Sequence, residues 1–142
     1  MQLRDLAALL LEEAGFTDVV TAHKPRGLGV VVDVRRRDAT GRRWFFDVTG
    51  SFASGSSGLR RADELWRALG RASVLHEGLA ASPDPAPLVL LSTGLPSSGS
   101  PTHRALGAVT GPGRPVHEVI ELLDGSGQQR LRELAEGSGA AG

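Results

Sequence analysis

Apolar residues recur at Leu3, Leu6, Ala7, Leu10 and Ala14, the spacing of one helical stripe. A helix is therefore predicted over 3–14, stopped by Gly15, whose lack of a side chain suits a left-handed cap. Asp18 to Ala22 fits a short strand that ends in the turn residues His23-Lys24-Pro25-Arg26-Gly27. Val30 to Arg37 and Arg42 to Val48 are rich in β-branched and aromatic residues and flank a turn, so they read as a hairpin. If Ala39-Thr40-Gly41 is the loop and Gly41 is left-handed, Asp38 pairs Arg42 and Asp33 stands opposite Asp47. A loop shorter or longer by one residue would offset that pair and turn the two side chains to opposite faces.

The Gly/Ser segment from Gly50 to Gly58 is predicted to be a loop. Leu59 to Leu79 then has helical periodicity, with Leu59, Ala62, Leu65, Trp66, Leu69, Ala72 and Ser73 on the expected buried face. Arg60, Glu64, Arg67 and Arg71 share its polar side. Leu88 to Ser92 is a continuous apolar run after a Pro-rich loop, as a buried central strand requires. Pro96–Pro101 and Gly111–Pro115 are turn-rich. Val116 to Leu123 fits a short helix and a last strand equally, and Gln128 to Glu136 reads as helix. The order α-β-β-β-α-β-(α/β)-α predicts a mixed sheet with helices packed on it, an α/β fold forming one domain over 1–136. Residues 137–142 read as a frayed tail.

Composition narrows the function classes only a little. Lys plus Arg and Asp plus Glu both number 16, so net charge gives no pointer to nucleic acid. Lys24 is the one lysine, while arginines cluster at 35–37, 42–43, 60–61, 67 and 71; a GC-rich genome would also favour Arg. The absence of Cys excludes disulfides, zinc–thiolate sites and cysteine nucleophiles, and fits an intracellular protein. No run of about 18 apolar residues exists to span a membrane. The N-terminal Leu/Ala run is followed by Glu12 and Glu13, which reads as an amphipathic helix and not as a signal peptide.

The chemistry concentrates in the hairpin. Like charges directly opposite in a ladder are destabilising, and a divalent cation between the two carboxylates is one reason to keep them. Asp47 and Thr49, two apart on a strand, project to the same face as Asp33, offering oxygen ligands suited to Mg²⁺. The plainer alternative is that Asp33 and Asp47 pair with nearby arginines. Trp66 reads as core by its spacing, Trp44 as packed, and Arg35-Arg36-Arg37 as a solubilising run at the hairpin tip. His23, His76, His103 and His117 have no metal-ligand spacing. Gly27-Leu-Gly29 precedes a strand, which excludes a dinucleotide fingerprint, and the Gly50–Gly58 loop lacks the phosphate-loop pattern. No Gly-x-Ser-x-Gly elbow is present.

On the element order over Leu3–Ser92, and with Asp33 in the second strand and Asp47 in the third, the chain resembles the PD-(D/E)XK nuclease superfamily, the restriction-endonuclease-like fold. Thr49 stands where that pattern has Lys. Asp47-Val-Thr-Gly-Ser-Phe, with the following Gly58-Leu-Arg-Arg-Ala-Asp-Glu-Leu-Trp, is similar to a subgroup in which acid-x-Ser/Thr-Gly replaces acid-x-Lys. The resemblance implies a Mg²⁺- or Mn²⁺-dependent DNA endonuclease of restriction, defence or repair. Asp33 and Asp47 would be metal ligands, Glu13 (or Glu12) of the first helix an accessory ligand, and Thr49 a site residue. Arg60, Arg61, Arg67 and Arg71 would contact DNA phosphates, with Arg60 or Arg61 standing in electrostatically for the missing lysine. It further implies a cytoplasmic protein, a helicase or methyltransferase partner and, as in many enzymes of this fold, a homodimer. Two other classes remain open: a catalytically inactive nuclease-fold module for DNA binding or assembly, and a soluble α/β binding protein with no nucleic-acid role.

Overall fold

In the computed structural model, residues 2–50, 57–83 and 85–137 are described. Helix α1 covers Leu3–Ala14 and is followed by strands β1 (Thr17–His23), β2 (Val32–Arg37) and β3 (Arg43–Thr49). A 3-10 turn, Gly58–Arg60, leads into helix α2 (Ala62–Gly78), and then come β4 (Leu88–Ser92), α3 (Pro101–Ala108), β5 (Glu118–Glu121) and α4 (Gly125–Glu136). The protein is mixed α/β. Its five strands lie in the order β1-β2-β3-β4-β5. The β1–β2 and β2–β3 pairs are antiparallel, and the β3–β4 and β4–β5 pairs are parallel. None of the helices among the described residues is long and apolar enough to cross a membrane.

The sheet is covered on both faces. Ala7 and Leu11 of α1 and Leu131, Leu134 and Ala135 of α4 pack against Val34, Trp44, Phe46, Val89 and Leu91. Leu65, Ala68, Leu69, Ala72 and Leu75 of α2, with Leu106 of α3, pack against Phe45, Leu88 and Leu90. Alternation along β3 explains the split: Trp44 and Phe46 project to one side, and Phe45, Asp47 and Thr49 to the other.

The hairpin closes on Ala39-Thr40-Gly41. The Asp38 amide donates to the Arg42 carbonyl at 2.9 Å and Gly41 is left-handed at φ 86°. Asp38, 3% exposed, ties the loop together. Its carboxylate accepts from the Thr40 amide at 2.8 Å, the Arg42 amide at 3.1 Å and the Trp44 indole at 2.8 Å. The loop is also bonded to the other end of the chain, where the Ala39 amide donates to the Ala135 carbonyl of α4 at 2.7 Å.

Several sequence expectations are corrected. Trp66 is 56% exposed, because the buried stripe of α2 runs through Leu65, Ala68, Leu69, Ala72 and Leu75. Neighbouring Leu65 takes the inward position, and Ala62 and Ser73 are exposed as well. The helix does not begin at Leu59: Arg61 is extended, with ψ 125°, and separates the 3-10 turn from α2. Arg36 is not a solubilising residue at the tip. It is 2% exposed, and its guanidinium donates to the carbonyls of Ala8 at 2.9 Å and Phe16 at 3.4 Å, which pins α1 and the chain after it to β2. Helix α3 had no counterpart in the periodicity. It is set by Ser100, which accepts from the His103 amide at 3.1 Å, and by proline in its first turn. The undecided segment resolves as strand β5. Residues 51–56 of the Gly/Ser loop and 138–142 of the tail lie outside the described residues.

Gly127 lies where α4 meets the end of β5, and a Cβ there would overlap the Glu121 carbonyl oxygen. On an open helix, Gly to Ala would add stability. Here the obstacle is backbone, so Gly127→Ala is expected to destabilise by about 1–3 kcal/mol in urea unfolding. A rise in the midpoint would show that α4 does not seat as described.

Candidate metal centre

One step beyond the last regular β2–β3 pair, Val34 with Phe46, Asp33 and Asp47 face each other. Here side chains replace the ladder. The Asp33 amide donates to Oδ1 of Asp47 at 3.2 Å, and the Val48 amide donates to Oδ2 of Asp33 at 2.8 Å. Each carboxylate thus caps the backbone beside the other, which holds the pair in place without a direct bond between them.

Asp47 is 0% exposed. Burial, and then the charge of Asp33, push its carboxyl above the usual carboxylate range. The Arg71 guanidinium, through charge and hydrogen bond, and the Asp33 amide pull the other way without restoring it. Arg71 reaches Asp47 from α2, with Nε 3.1 Å from Oδ2 and a side chain 31% exposed.

Thr49 is the third member. It is 5% exposed, and its Oγ1 is buried with no hydrogen-bond partner among the described residues. A hydroxyl in that condition costs on the order of 1–3 kcal/mol, and it lies two residues along the strand from Asp47, on the same side. Two carboxylates and an unpartnered buried hydroxyl are a donor set that fits a hard cation such as Mg²⁺, which keeps several of its own waters. Among the described residues, no three His, Asp or Glu side chains form a group that would hold a metal by themselves.

The neighbouring strand ends are tightly built. Ser92, 0% exposed at the end of β4, accepts from the Leu59 amide at 3.0 Å and the Gly94 amide at 3.2 Å, and donates to the Gly94 carbonyl at 2.6 Å. A Cβ on Gly50, at φ 124°, would strike the Thr93 side chain, and one on Gly58 would strike the Ser92 hydroxyl. Both ends of the 50–58 segment are therefore held beside Thr49 by glycines that allow close approach. The C-terminal ends of parallel strands are where open α/β sheets bind ligands.

The other expected site residues are placed differently. Glu13 is exposed on α1, as is Glu12. Helix α1 packs on the face that carries Trp44 and Phe46, so the sheet itself stands between Glu13 and the aspartates. Glu12 acts on Arg36 instead. Arg60 is exposed in the 3-10 turn and out of phase with α2. Arg61 is exposed and pairs with Asp63 at 3.4 Å, and Arg67 pairs with Glu64 at 3.5 Å. Arg71, expected among the outward phosphate contacts, turns inward as the one ion-pair partner of Asp47 among the described residues.

Two cavities open elsewhere. One is lined by Arg60, Leu95, His103, Glu118 and Glu121, the other by Arg42, His76, Pro87, Arg114 and His117. Neither has Asp33, Asp47, Thr49 or Arg71 in its wall. Compared with protein-family models, with curated proteins and with solved structures, the chain gives no match.

Proposed function

We propose that this protein is a Mg²⁺- or Mn²⁺-dependent DNA endonuclease of restriction-endonuclease-like fold. The observation that carries the reading is the opposed Asp33–Asp47 pair with, beside it, the buried hydroxyl of Thr49, which has no partner among the described residues. The α-β-β-β-α-β order from Leu3 to Ser92 supports it, as does the position of the pair beside the C-terminal ends of the parallel strands.

Asp33, Asp47 and Thr49 would hold a divalent ion whose chemistry, when bound, would be to activate water and offset charge on the phosphoryl group. The chain's part is to hold and orient: Asp33 and Asp47 give carboxylate oxygens that backbone amides fix in place, and Thr49 gives a hydroxyl. Among the described residues, the cation paired with Asp47 is Arg71 and not Arg60 or Arg61. A guanidinium stays protonated and cannot serve as a base, so its contribution is electrostatic. The exposed Arg60, Arg61 and Arg67 would meet the DNA backbone, which needs no sequence-specific geometry.

One observation favours a second reading. Because Arg71 already neutralises Asp47, the fold is also consistent with a catalytically inactive DNA-binding or assembly module. Incubating the protein with supercoiled plasmid DNA and Mg²⁺ or Mn²⁺ separates the two. Nicking or linearisation that EDTA abolishes is expected. DNA binding that weakens with salt, without cleavage, would favour the inactive module. Neither cleavage nor binding at low salt would remove both readings.

A further inference from the structure

We infer that Arg71 is an exchangeable counter-cation: it occupies Asp47 while no divalent ion is bound, and leaves it for a phosphate of the substrate when one binds. This rests on the metal-site reading above. Both oxygens of Asp47 are engaged, Oδ1 by the Asp33 amide at 3.2 Å and Oδ2 by Arg71 Nε at 3.1 Å. A backbone amide is a neutral donor and leaves a lone pair on its acceptor open. A guanidinium carries a full charge, and so close to the same carboxylate it repels an incoming dication.

The two ends of the ion pair differ in freedom. The Asp47 side chain is 1% exposed and fixed, whereas that of Arg71 is 31% exposed. Arg71 can therefore rotate out while Asp47 stays. On leaving, it lies one turn along α2 from Arg67, which is exposed and held by Glu64. The guanidinium fork suits two oxygens of one phosphate, so the group that guards the carboxylate becomes a ligand for the substrate. Exchange of one cation for another also keeps the buried Asp47 from standing uncompensated. Binding of metal and of DNA phosphate is then linked, each raising affinity for the other.

The test needs no cleavage. Mn²⁺ binding to the full chain is measured by calorimetry without DNA, in wild type, Arg71→Met, Arg71→Lys and Arg132→Met. Arg132 is exposed on α4 and bonds Gln129, so its removal controls for net charge. Arg71→Met is expected to bind Mn²⁺ about tenfold more tightly, as losing one close positive charge implies. Arg71→Lys and Arg132→Met should stay near wild type. DNA affinity at fixed ionic strength should rise more on adding Mn²⁺ in wild type than in Arg71→Met, which keeps the direct attraction of metal for phosphate but not the released guanidinium. Equal Mn²⁺ affinity in wild type and Arg71→Met would overturn the exchange while leaving the metal site standing. No Mn²⁺ binding in any variant, with circular dichroism showing all of them folded, would overturn the metal site itself.

Discussion

Asp47→Asn is expected to abolish cleavage and yet leave the protein at least as stable as wild type. Asn fits the same space, and its carbonyl oxygen can still accept the Asp33 amide that now bonds Oδ1. What it lacks is charge. For cleavage that is decisive, because a neutral amide is a poor ligand for a hard dication. A loss of about 10³-fold, equivalent to about 4 kcal/mol of transition-state stabilisation, is the expected scale. For stability the sign is opposite. Burial first, and the charge of Asp33 second, raise the folded-state pKa of Asp47 despite the help of Arg71. Such a carboxylate favours folding less as pH rises from its unfolded value toward and through its folded one, so the penalty is greater at neutral pH than in acid. In that orientation the Asn amide nitrogen faces the Arg71 guanidinium, donor to donor, but Arg71 is partly exposed and can turn out to water. The melting temperature of Asp47→Asn should therefore match or exceed wild type at pH 7, and the difference should shrink as pH falls toward about 4. A marked drop in melting temperature with cleavage intact would make Asp47 a structural acid and sink the assignment.

Trp44 carries the largest expected effect on folding. It is fully buried, packs edge-on to His117 with ring centroids 5.2 Å apart, and lies under the Arg42 guanidinium, also at 5.2 Å. Trp44→Ala should cost about 3–5 kcal/mol, a large share of the stability of a small domain, roughly 5–15 kcal/mol. Trp44→Phe keeps most of the packing but removes the indole N–H from Asp38, which should cost about 1–3 kcal/mol. The two variants separate packing from polar satisfaction in one urea series. Acid adds a further handle. Burial alone would raise the Asp38 carboxyl, but the bonds from Thr40, Trp44 and Arg42 together outweigh it and hold it below the usual value. Its stabilisation is present above the ordinary carboxylate pKa and is lost as pH falls through the depressed folded value. Trp44→Phe should lose less stability over that acid range than wild type does. If Trp44→Ala unfolds at the wild-type urea concentration, the indole is not part of the core.

What the sequence disclosed was mostly local. The hairpin was legible because Gly41 supplies the left-handed residue that its loop needs, and the loop in turn sets Asp33 opposite Asp47. The limits of α1 and β4 followed from a glycine stop and from an unbroken apolar run. What stayed hidden depends on which side of the sheet an element takes. Glu13 follows an apolar stripe correctly, yet nothing near it encodes that α1 crosses to the face away from Asp47. Arg36 alternates in phase with Val34 and so points inward, but its partners are the carbonyls of Ala8 and Phe16, far back in the chain. Trp66 misled because its neighbour Leu65 competes for the same stripe, and Ala68 and Leu75 decide the phase for Leu65. The Arg71–Asp47 pair spans 24 residues. A buried acid calls for a cation, but only the packing of α2 on β3 selects which arginine supplies it.

The bond from Ala39 to the Ala135 carbonyl ties the hairpin to α4, and that has a consequence for synthesis. A ribosome delivers the hairpin long before α4, and until residues near 135 emerge, the face bearing Trp44, Phe46 and Leu91 lacks Leu131 and Leu134. The strands that carry the aspartates therefore stay open to local unfolding during elongation. An acidic pair set on an unfinished sheet has no fixed spacing. On the proposed reading, the pair that would hold the metal takes its fixed spacing only once α4 has docked.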